Sequence, residues 1–353
     1  MKIYFPVPKP GPVVFNHFVY SLLDGLNNNG VKADCGIEQL WSEELFTYDI
    51  VHFQWPETLY KRNLATSDSQ LEEFASRLDR FKSSPNKQIF ITCHNLKPHT
   101  IKDSNVMRLY DIIYSRVDAF IHMGNFSRQL LSEQYPNAKH LILPHHIYDN
   151  RFNFDVRKQD ARKALRLPTD KVLVLSFGSF RNDEERNLVL MAKYAMDSSK
   201  YEFVMPGFYR KKILNKNITE LITRLYRTIK YKLAGIRFSN TFLSDEDMKL
   251  YFCAADIVLI QRVDILNSGN LPMAFAAGKV VVGPKTGNVG CILEETSNPT
   301  FDINHIDTVT TAIEKAENLA KLGKGEKNSE FAYAQWSVDT ISKKLIEYYN
   351  YTK

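Results

Sequence analysis

Residues 254–290 read A-A-D-I-V-L-I-Q-R-V-D-I-L-N-S-G-N-L-P-M-A-F-A-A-G-K-V-V-V-G-P-K-T-G-N-V-G, and no other stretch restricts the fold as much. The apolar run at 257–260 suits a strand buried on both faces, and it feeds a polar loop at 261–267 before helical spacing begins. Asn267 and Ser268 are candidate caps for that helix. Pro272 is tolerated only in a first turn, where its missing N–H has no partner to lose, so the helix starts close to 269–271. Gly278 ends it, and 279–282 is the next buried strand. Strand, loop, helix and strand in this order place the loop at the carboxyl edge of a parallel sheet, where open α/β sheets bind ligands. Ser268 and Gly269 are small enough to admit an anion, such as a phosphate, to the unpaired amides of the helix start. An isolated Ser-Gly pair is more often an ordinary cap and turn, so the wider pattern has to decide.

That pattern comprises an A-A-D strand, the Ser268–Gly269 turn, an A-x-A-x-G helix end, a Val-Val strand and a glycine turn at Thr286, Gly287 and Asn288. It resembles the donor-nucleotide site of retaining GT-B glycosyltransferases, notably glycosyltransferase family 4 of the capsule and surface-polysaccharide type. The resemblance implies an α/β fold of two Rossmann-like domains facing a cleft, with a C-terminal helix crossing back to the first domain. It also implies that Asn267, Ser268, Gly269 and Asn270 surround the donor diphosphate. One departure is plain: the Glu-x7-Glu motif of that family falls on Ile265 and Met273, so both acids are missing. Asp264 is the candidate displaced substitute.

A chain of 353 residues exceeds what one hydrophobic core usually supports, so two domains are expected. The boundaries fall at 1–150 for an acceptor domain, 151–330 for a nucleotide-sugar domain and 331–353 for the returning helix. The hydrophobic fraction of 44% and charged fraction of 24% exclude a disordered chain. Cys35, Cys93, Cys253 and Cys291 show neither close pairing nor metal-ligand spacing, which reads as a reduced cytosolic thiol set with no zinc site. The start becomes proline-rich too early for a signal peptide, and no apolar run approaches the roughly 18 residues of a membrane-spanning helix. Net charge is only +6, yet eight Lys and Arg residues fall between Tyr209 and Leu233 with Glu220 as the one acid. That segment lacks any nucleic-acid motif, which argues against nucleic acid as a partner. Its apolar residues, Ile218, Leu221, Ile222, Leu225, Ile229 and Leu233, fall largely on one helical face. Two readings stay open: a domain helix packed by its apolar face with its cations in water, or a basic amphipathic helix (209–233) that meets an anionic membrane surface.

In the first half, residues 2–7 read as a strand and 13–27 as a helix, joined by a proline-rich loop from which Gly11 and Asn16 are candidate acceptor-side residues. The D-I-V-H-F-Q-W-P-E run at 49–57 resembles a D-I-V-H-x-x-W-P-E motif of surface-polysaccharide glycosyltransferases and adds Trp55. A helix follows at 69–81 with Leu71, Phe74, Leu78 and Phe81 on one face. The strand at 88–93 ends in H-N-L-K-P-H. By the resemblance, His94 is the catalytic candidate on the sugar or acceptor side, with Asn95 and His99 beside it. A helix at 106–114, a strand at 119–122 and a helix at 128–135 capped from 125–127 come next. His122 is a further acceptor-side candidate, and Ser127 reads as a cap. The strand end L-I-L-P-H-H resembles the family's last strand before the linker, with His146 where that family has glycine.

In the second half, a helix at 159–165, a strand at 172–177 and Gly178 precede F-R-N-D-E-E-R-N. Arg181 and Arg186 stand in for the two cations that the family turns toward the diphosphate, and guanidinium groups suit phosphate through paired hydrogen bonds. For Arg186, salt bridging to its acidic neighbours is an equal alternative. Strands are expected at 201–207 and 236–238. T-F-L-S-D-E-D at 241–247 resembles the turn that holds the nucleobase in the family, which makes Phe242 a donor-side candidate. There Ser244 caps a helix with Asp247 in the capping-box position. The region 331–349, centred on Trp336, reads as the final helix.

Together these readings predict a hexosyltransferase. It moves a sugar, with retention, from a nucleotide-diphosphate sugar to a saccharide acceptor that is lipid-linked in surface-polysaccharide synthesis. It works on the cytoplasmic side, peripheral to the inner membrane leaflet. No metal or other cofactor is required, because helix-start amides and Arg181 stabilise the charge on the leaving diphosphate. The missing acids keep two alternatives open: a sugar-nucleotide-binding pseudoenzyme and a GT-B sugar-nucleotide epimerase.

Overall fold

The computed structural model describes residues 1–11, 16–96, 103–178, 180–207, 218–238 and 243–352, the side chain of Glu220 excepted. They form two compact units: Met1–Arg151 with Gln335–Lys353, and Phe152–Ala334. The chain first passes from one unit to the other between Arg151 and Phe152.

In unit 1, β1 (Lys2–Phe5), α1 (Phe18–Asn28), β2 (Lys32–Cys35), β3 (Ile50–Phe53), α2 (Glu57–Lys61) and α3 (Asp68–Lys82) are followed by β4 (Gln88–Thr92), α4 (Ser104–Tyr114), β5 (Ala119–His122), α5 (Asn125–Gln134) and β6 (Lys139–Ile142). The sheet runs β2-β1-β3-β4-β5-β6 with every pair parallel. Strands β3, β4 and β5 are buried along their whole length, as their largely apolar character requires when helices cover both faces. Ser67 caps α3 in a capping box with Gln70.

Unit 2 opens with α6 (Lys158–Ala164), β7 (Val172–Leu175), α7 (Asp183–Ala195), β8 (Tyr201–Met205), α8 (Ile218–Leu233), β9 (Arg237–Phe238) and α9 (Asp245–Ala254). It continues with β10 (Ile257–Leu259), α10 (Asn270–Ala276), β11 (Val280–Pro284), α11 (Gly287–Glu295), β12 (Thr300–Phe301), α12 (Thr308–Lys321) and α13 (Lys324–Trp336). Its sheet is again parallel throughout, in the order β12-β11-β10-β7-β8-β9. The capping box of Ser244 and Asp247 at α9 is present as the sequence indicates.

Three expected elements change. The final helix is two helices, because Ser337 stops α13 and caps a new one, α14 (Val338–Tyr351), by accepting the Thr340 amide. Within unit 1, α14 lies against α1 at Gly25, where a Cβ would stand 2.2 Å from Ser342 Oγ and 2.6 Å from Val338 Cγ1. The helix expected at 128–135 starts at Asn125 behind Gly124, and Ser127 lies inside it instead of capping it. Helix α1 is seen from Phe18, whose amide donates to Asn16 Oδ1 at 3.0 Å. Its expected first residues lie outside the described ones.

The aspartate of A-A-D holds the base of unit 2. Asp256 accepts from Arg162 Nη2 at 2.5 Å, Lys158 Nζ at 2.8 Å and the Leu173 amide at 2.8 Å, and so ties α6 to the adjacent strands β7 and β10. Arg162 is 2% exposed and also donates to the carbonyls of Ala254 and Lys171. Burial pushes the Asp256 carboxyl up, but the Lys158 and Leu173 hydrogen bonds and the charge of Arg162 outweigh it and hold the pKa below the usual aspartate value. Asp256→Ala strands a buried guanidinium and should cost about 3–5 kcal/mol, read as a lower urea midpoint. Because the folded pKa is depressed, this contribution is present above about pH 4 and is lost as the pH falls through the folded value. The acid limb of the native stability profile should therefore flatten in the variant.

Candidate functional site

In unit 2 the chain builds β7 first, adds β8 and β9 on one side, and then crosses to lay β10, β11 and β12 on the other. The connections after β7 and β10 therefore diverge, which opens a crevice at the carboxyl ends of those two strands. Its lips are Phe177 and Gly178 after β7 and the loop 261–269 after β10. Asn270 joins them: its Nδ2 donates to the Phe177 carbonyl at 2.9 Å. Gly178 is at φ +101° with nothing within 4 Å of where a Cβ would project, so the backbone conformation, not crowding, calls for glycine.

The loop 261–269 is supported from below by the glycine turn. Gly287 is at φ +59°, and a Cβ there would stand 2.2 Å from the Ile265 carbonyl oxygen. The Asn288 amide donates to the Leu266 carbonyl at 2.9 Å, and Asn288 Nδ2 donates to Asn267 Oδ1 at 2.8 Å. Neither Asn267 nor Ser268 is the N-cap of α10. That position is Gly269, at φ −66° and ψ −17°, a conformation open to any residue, and glycine has no side chain of its own to supply a cap. Ser268 Oγ accepts the Asn270 amide at 3.3 Å. Asp264 is exposed, whereas Ile265 and Met273, the positions of the missing acids, are each 7% exposed.

The two arginines separate. Arg181 is exposed, and its amide donates to Glu185 Oε2 at 2.7 Å. Arg186 is buried and turned into the first turn of its own helix, where it donates to the Phe180 carbonyl at 3.2 Å and Asp183 Oδ1 at 3.1 Å. This corrects its assignment to the diphosphate: the guanidinium is buried and directed to Asp183 and the Phe180 carbonyl of its own helix start. Sequence reasoning overlooked Arg262, half-buried on the same loop as Ser268 with Nη1 3.9 Å from Glu185 Oε1. Its signal was its place in the polar loop that follows the 257–260 strand. Phe242 and His99 lie outside the described residues.

Unit 1 has the same construction: β2 lies to one side of β1 and β3–β6 to the other, so the crevice opens at the ends of β1 and β3. There the Trp55 and His94 rings stack at 3.9 Å and 20°, and Phe18 meets His94 edge-on at 4.8 Å. A chain of hydrogen bonds leads inward. His94 Nε2 donates to Gln54 Oε1 at 2.7 Å, and Gln54 Nε2 donates to Thr92 Oγ1 at 3.2 Å. Thr92 Oγ1 shares a bond with His52 Nε2 at 2.9 Å, and His52 Nδ1 meets the Tyr349 hydroxyl of α14 at 2.6 Å. With Gln54 in this orientation the His94 proton sits on Nε2, and Nδ1 carries the lone pair. Burial, followed by the neighbouring His145, His52 and His146, holds the His94 pKa well below the ordinary histidine value. The ring is therefore neutral at neutral pH.

His146, in place of glycine, stacks on Phe18 at 4.8 Å and 14° and donates from Nε2 to the Phe18 carbonyl at 2.9 Å. Gln54, Phe18 and His145 were not singled out from the sequence, because only the fold brings them to one strand edge. Asn95 and Trp55 are half-buried, and Gly11 and Asn16 are exposed. His122 is corrected: it is 0% exposed, with Nδ1 at 3.1 Å from Ser127 Oγ and Nε2 at 3.0 Å from His140 Nδ1, so it cannot reach an acceptor.

Two parallel six-stranded sheets in these orders, each with a crevice at its strand reversal, define the GT-B class of α/β fold. Among solved structures the chain is similar to sucrose-phosphate synthase of Thermosynechococcus elongatus (TM-score 0.69, 13% identity, 99% of this chain and 98% of that one). It is likewise similar to Anabaena HepE in complex with UDP (TM-score 0.67, 13% identity, 99% and 100%) and to the catalytic domain of Arabidopsis thaliana starch synthase IV bound to ADP and acarbose (TM-score 0.65, 11% identity, 99% and 99%). No protein-family model and no curated protein matches the sequence. At these identities the likeness establishes the fold.

The histidine assignment is open to measurement. The imidazole C–H resonances of His94 should keep their neutral positions from pH 8 to about 6, whereas a midpoint near the ordinary value of about 6.5 would show that the buried network does not hold the ring neutral.

Proposed function

We propose that this protein is a glycosyltransferase that moves a hexosyl unit from a nucleotide-diphosphate sugar to a saccharide acceptor. The observation that carries the reading is the unit 2 crevice at the strand reversal, its lips joined by Asn270 and Phe177. It occurs in a fold whose solved examples include HepE with UDP-glucose and starch synthase IV with ADP. The donor is assigned to unit 2, with its diphosphate against the Ser268–Gly269 turn and Gly178 and with Arg181 and Arg262 as the cations on the two loops. As the glycosidic bond breaks, charge gathers on the diphosphate, and fixed amides and guanidinium groups stabilise it without a metal. The acceptor is assigned to unit 1 beside Trp55, where aromatic faces suit sugar rings and the neutral His94 accepts from a hydroxyl. Asn95, Gly11 and Asn16 complete the acceptor-side residues. The finer reading is retention at the anomeric carbon and a lipid-linked acceptor presented at the inner membrane leaflet in surface-polysaccharide synthesis, as in glycosyltransferase family 4.

One observation favours a rival. Buried Ile265 and Met273 replace the two acids that hold ribose and sugar in that family, which suits a protein that binds a sugar nucleotide without turning it over. Turnover separates the two readings. Thermal shift against UDP-, ADP- and GDP-sugars, followed by hydrolysis without acceptor, should give binding and slow release of sugar. Gly269→Val should weaken nucleotide binding by tenfold or more, by roughly the cost of losing one or two hydrogen bonds to charged groups, with the far-ultraviolet circular dichroism unchanged. His94→Ala should keep nucleotide affinity and lower turnover by roughly a hundredfold. Binding without turnover in the native protein would establish the rival, and unchanged affinity in Gly269→Val would remove the diphosphate assignment.

A further inference from the structure

Helix α8 is mounted the wrong way round for a helix of a globular core. Its Tyr231 is 2% exposed, and Thr223, Arg224 and Arg227 are half-buried. Arg227 Nη2 pairs with both carboxylate oxygens of Asp183 on α7, at 2.7 and 2.9 Å. The polar side thus faces unit 2. The apolar side faces out: Ile218, Leu221, Ile222, Leu225, Tyr226, Ile229 and Leu233 are 49% to 82% exposed. At 100° per residue these seven fall within an arc of roughly 140°. A surface helix ordinarily turns such a stripe to the core, and a contiguous exposed stripe marks a partner surface.

Charge selects the partner. The helix carries Arg224, Arg227, Lys230 and Lys232 against Glu220 alone. Lys230 stands roughly 40° beyond one edge of the stripe, and Lys232, which is exposed, lies within its arc in the last turn. A second copy of the chain would bring a second cationic helix against this one. An anionic bilayer satisfies both halves of the pattern, with leucine and isoleucine in the acyl boundary and lysines among lipid phosphates. Sixteen residues extend roughly 24 Å and so lie in the interface without spanning it. No described helix is long and apolar enough to cross a membrane.

We propose that the outward face of α8 docks unit 2 on an anionic lipid surface. The inference deepens the reading of a membrane-presented acceptor, on which its purpose rests, but vesicle binding needs neither nucleotide nor acceptor and is scored separately. The test is flotation of the full chain with phosphatidylcholine vesicles, with and without phosphatidylglycerol, at low and high salt. Native protein should bind the anionic vesicles and release them at high salt. Lys230→Gln with Lys232→Gln should weaken binding roughly 30-fold, about fivefold for each cation removed. Leu225→Ser with Ile229→Ser should weaken it by more than tenfold. All four positions lie on the outer side or its margin, so melting temperature and UDP-induced thermal shift should stay at native values in both variants. Equal binding to neutral and anionic vesicles, or native affinity in either double variant, overturns the proposal. So does a concentration-dependent dimer in sedimentation that Leu225→Ser with Ile229→Ser disperses while vesicles are ignored. A protein that binds vesicles but no nucleotide supports this surface and removes the transferase reading instead.

Discussion

The pairing of β7 with β10 is the contact on which unit 2 depends. The two strands are adjacent in the sheet but far apart in the chain, so nothing local aligns them. A carboxylate does so at one end, where Asp256 at the start of β10 accepts the Leu173 amide of β7 and the guanidinium of Arg162. An amide does so at the other, where Asn270 reaches the Phe177 carbonyl. Between those clamps the register is fixed at Ile257 with Val174 and Val258 with Leu175. The crevice is therefore the open end of a strand pair whose closed end is a buried ion pair. Loop 261–269 in turn rests on Gly287, where no side chain fits. The placement of the Ser268 turn thus relies on groups outside the turn itself.

Unit 1 solves a different problem, that of keeping several histidines near one strand edge without accumulating charge. Each ring nitrogen with an assigned partner is matched to a neutral imidazole. His146 accepts the Tyr148 amide at Nδ1 and donates at Nε2 to the Phe18 carbonyl, an arrangement that a second proton would break. Burial holds His146 at about 3 and His145 at about 4, and the mutual repulsion of a charged cluster acts in the same direction. The edge that presents Trp55 and His94 is thereby aromatic, and its histidines are neutral.

The strands were legible because burial on both faces leaves only one kind of sequence: 50–53, 119–122 and 280–284 are apolar almost without interruption. Capping was legible where a side chain supplies the cap, as at Ser244, and misread where glycine does, as at Gly124 and Gly269. The helix break at Ser337 escaped notice because apolar spacing continues through it. Other failures share a cause. Periodicity identified the apolar face of α8 but not which way that face points, since orientation is set by the pairing of Arg227 with Asp183 on α7 and by the burial of Tyr231 on the opposite side of the helix. Likewise Arg186 carries the charge expected of a phosphate ligand, yet Asp183 is closer. His122 ends a strand just as His94 does, yet β6 brings His140 against it and leaves it no exposure. A strand end tells which residues reach an edge, and only the neighbouring strand tells whether that edge is open.

The return of α14 to the first unit has a consequence for how the chain becomes structured. Tyr349 is fully buried beneath β3 and β4, bonded to His52 and set edge-on against Phe90 at 4.8 Å. Residues 152–334 form a continuous segment, and unit 1 is completed only by residues made after them. On a ribosome the second unit can therefore close while the first still lacks a helix and exposes the apolar surface that α14 will cover. The usual order, in which amino-terminal domains finish first, is reversed here. The histidine chain running from Tyr349 to His94 is among the last parts to lock, so chains cut short of Val338 cannot complete that edge of unit 1, however complete the crevice of unit 2.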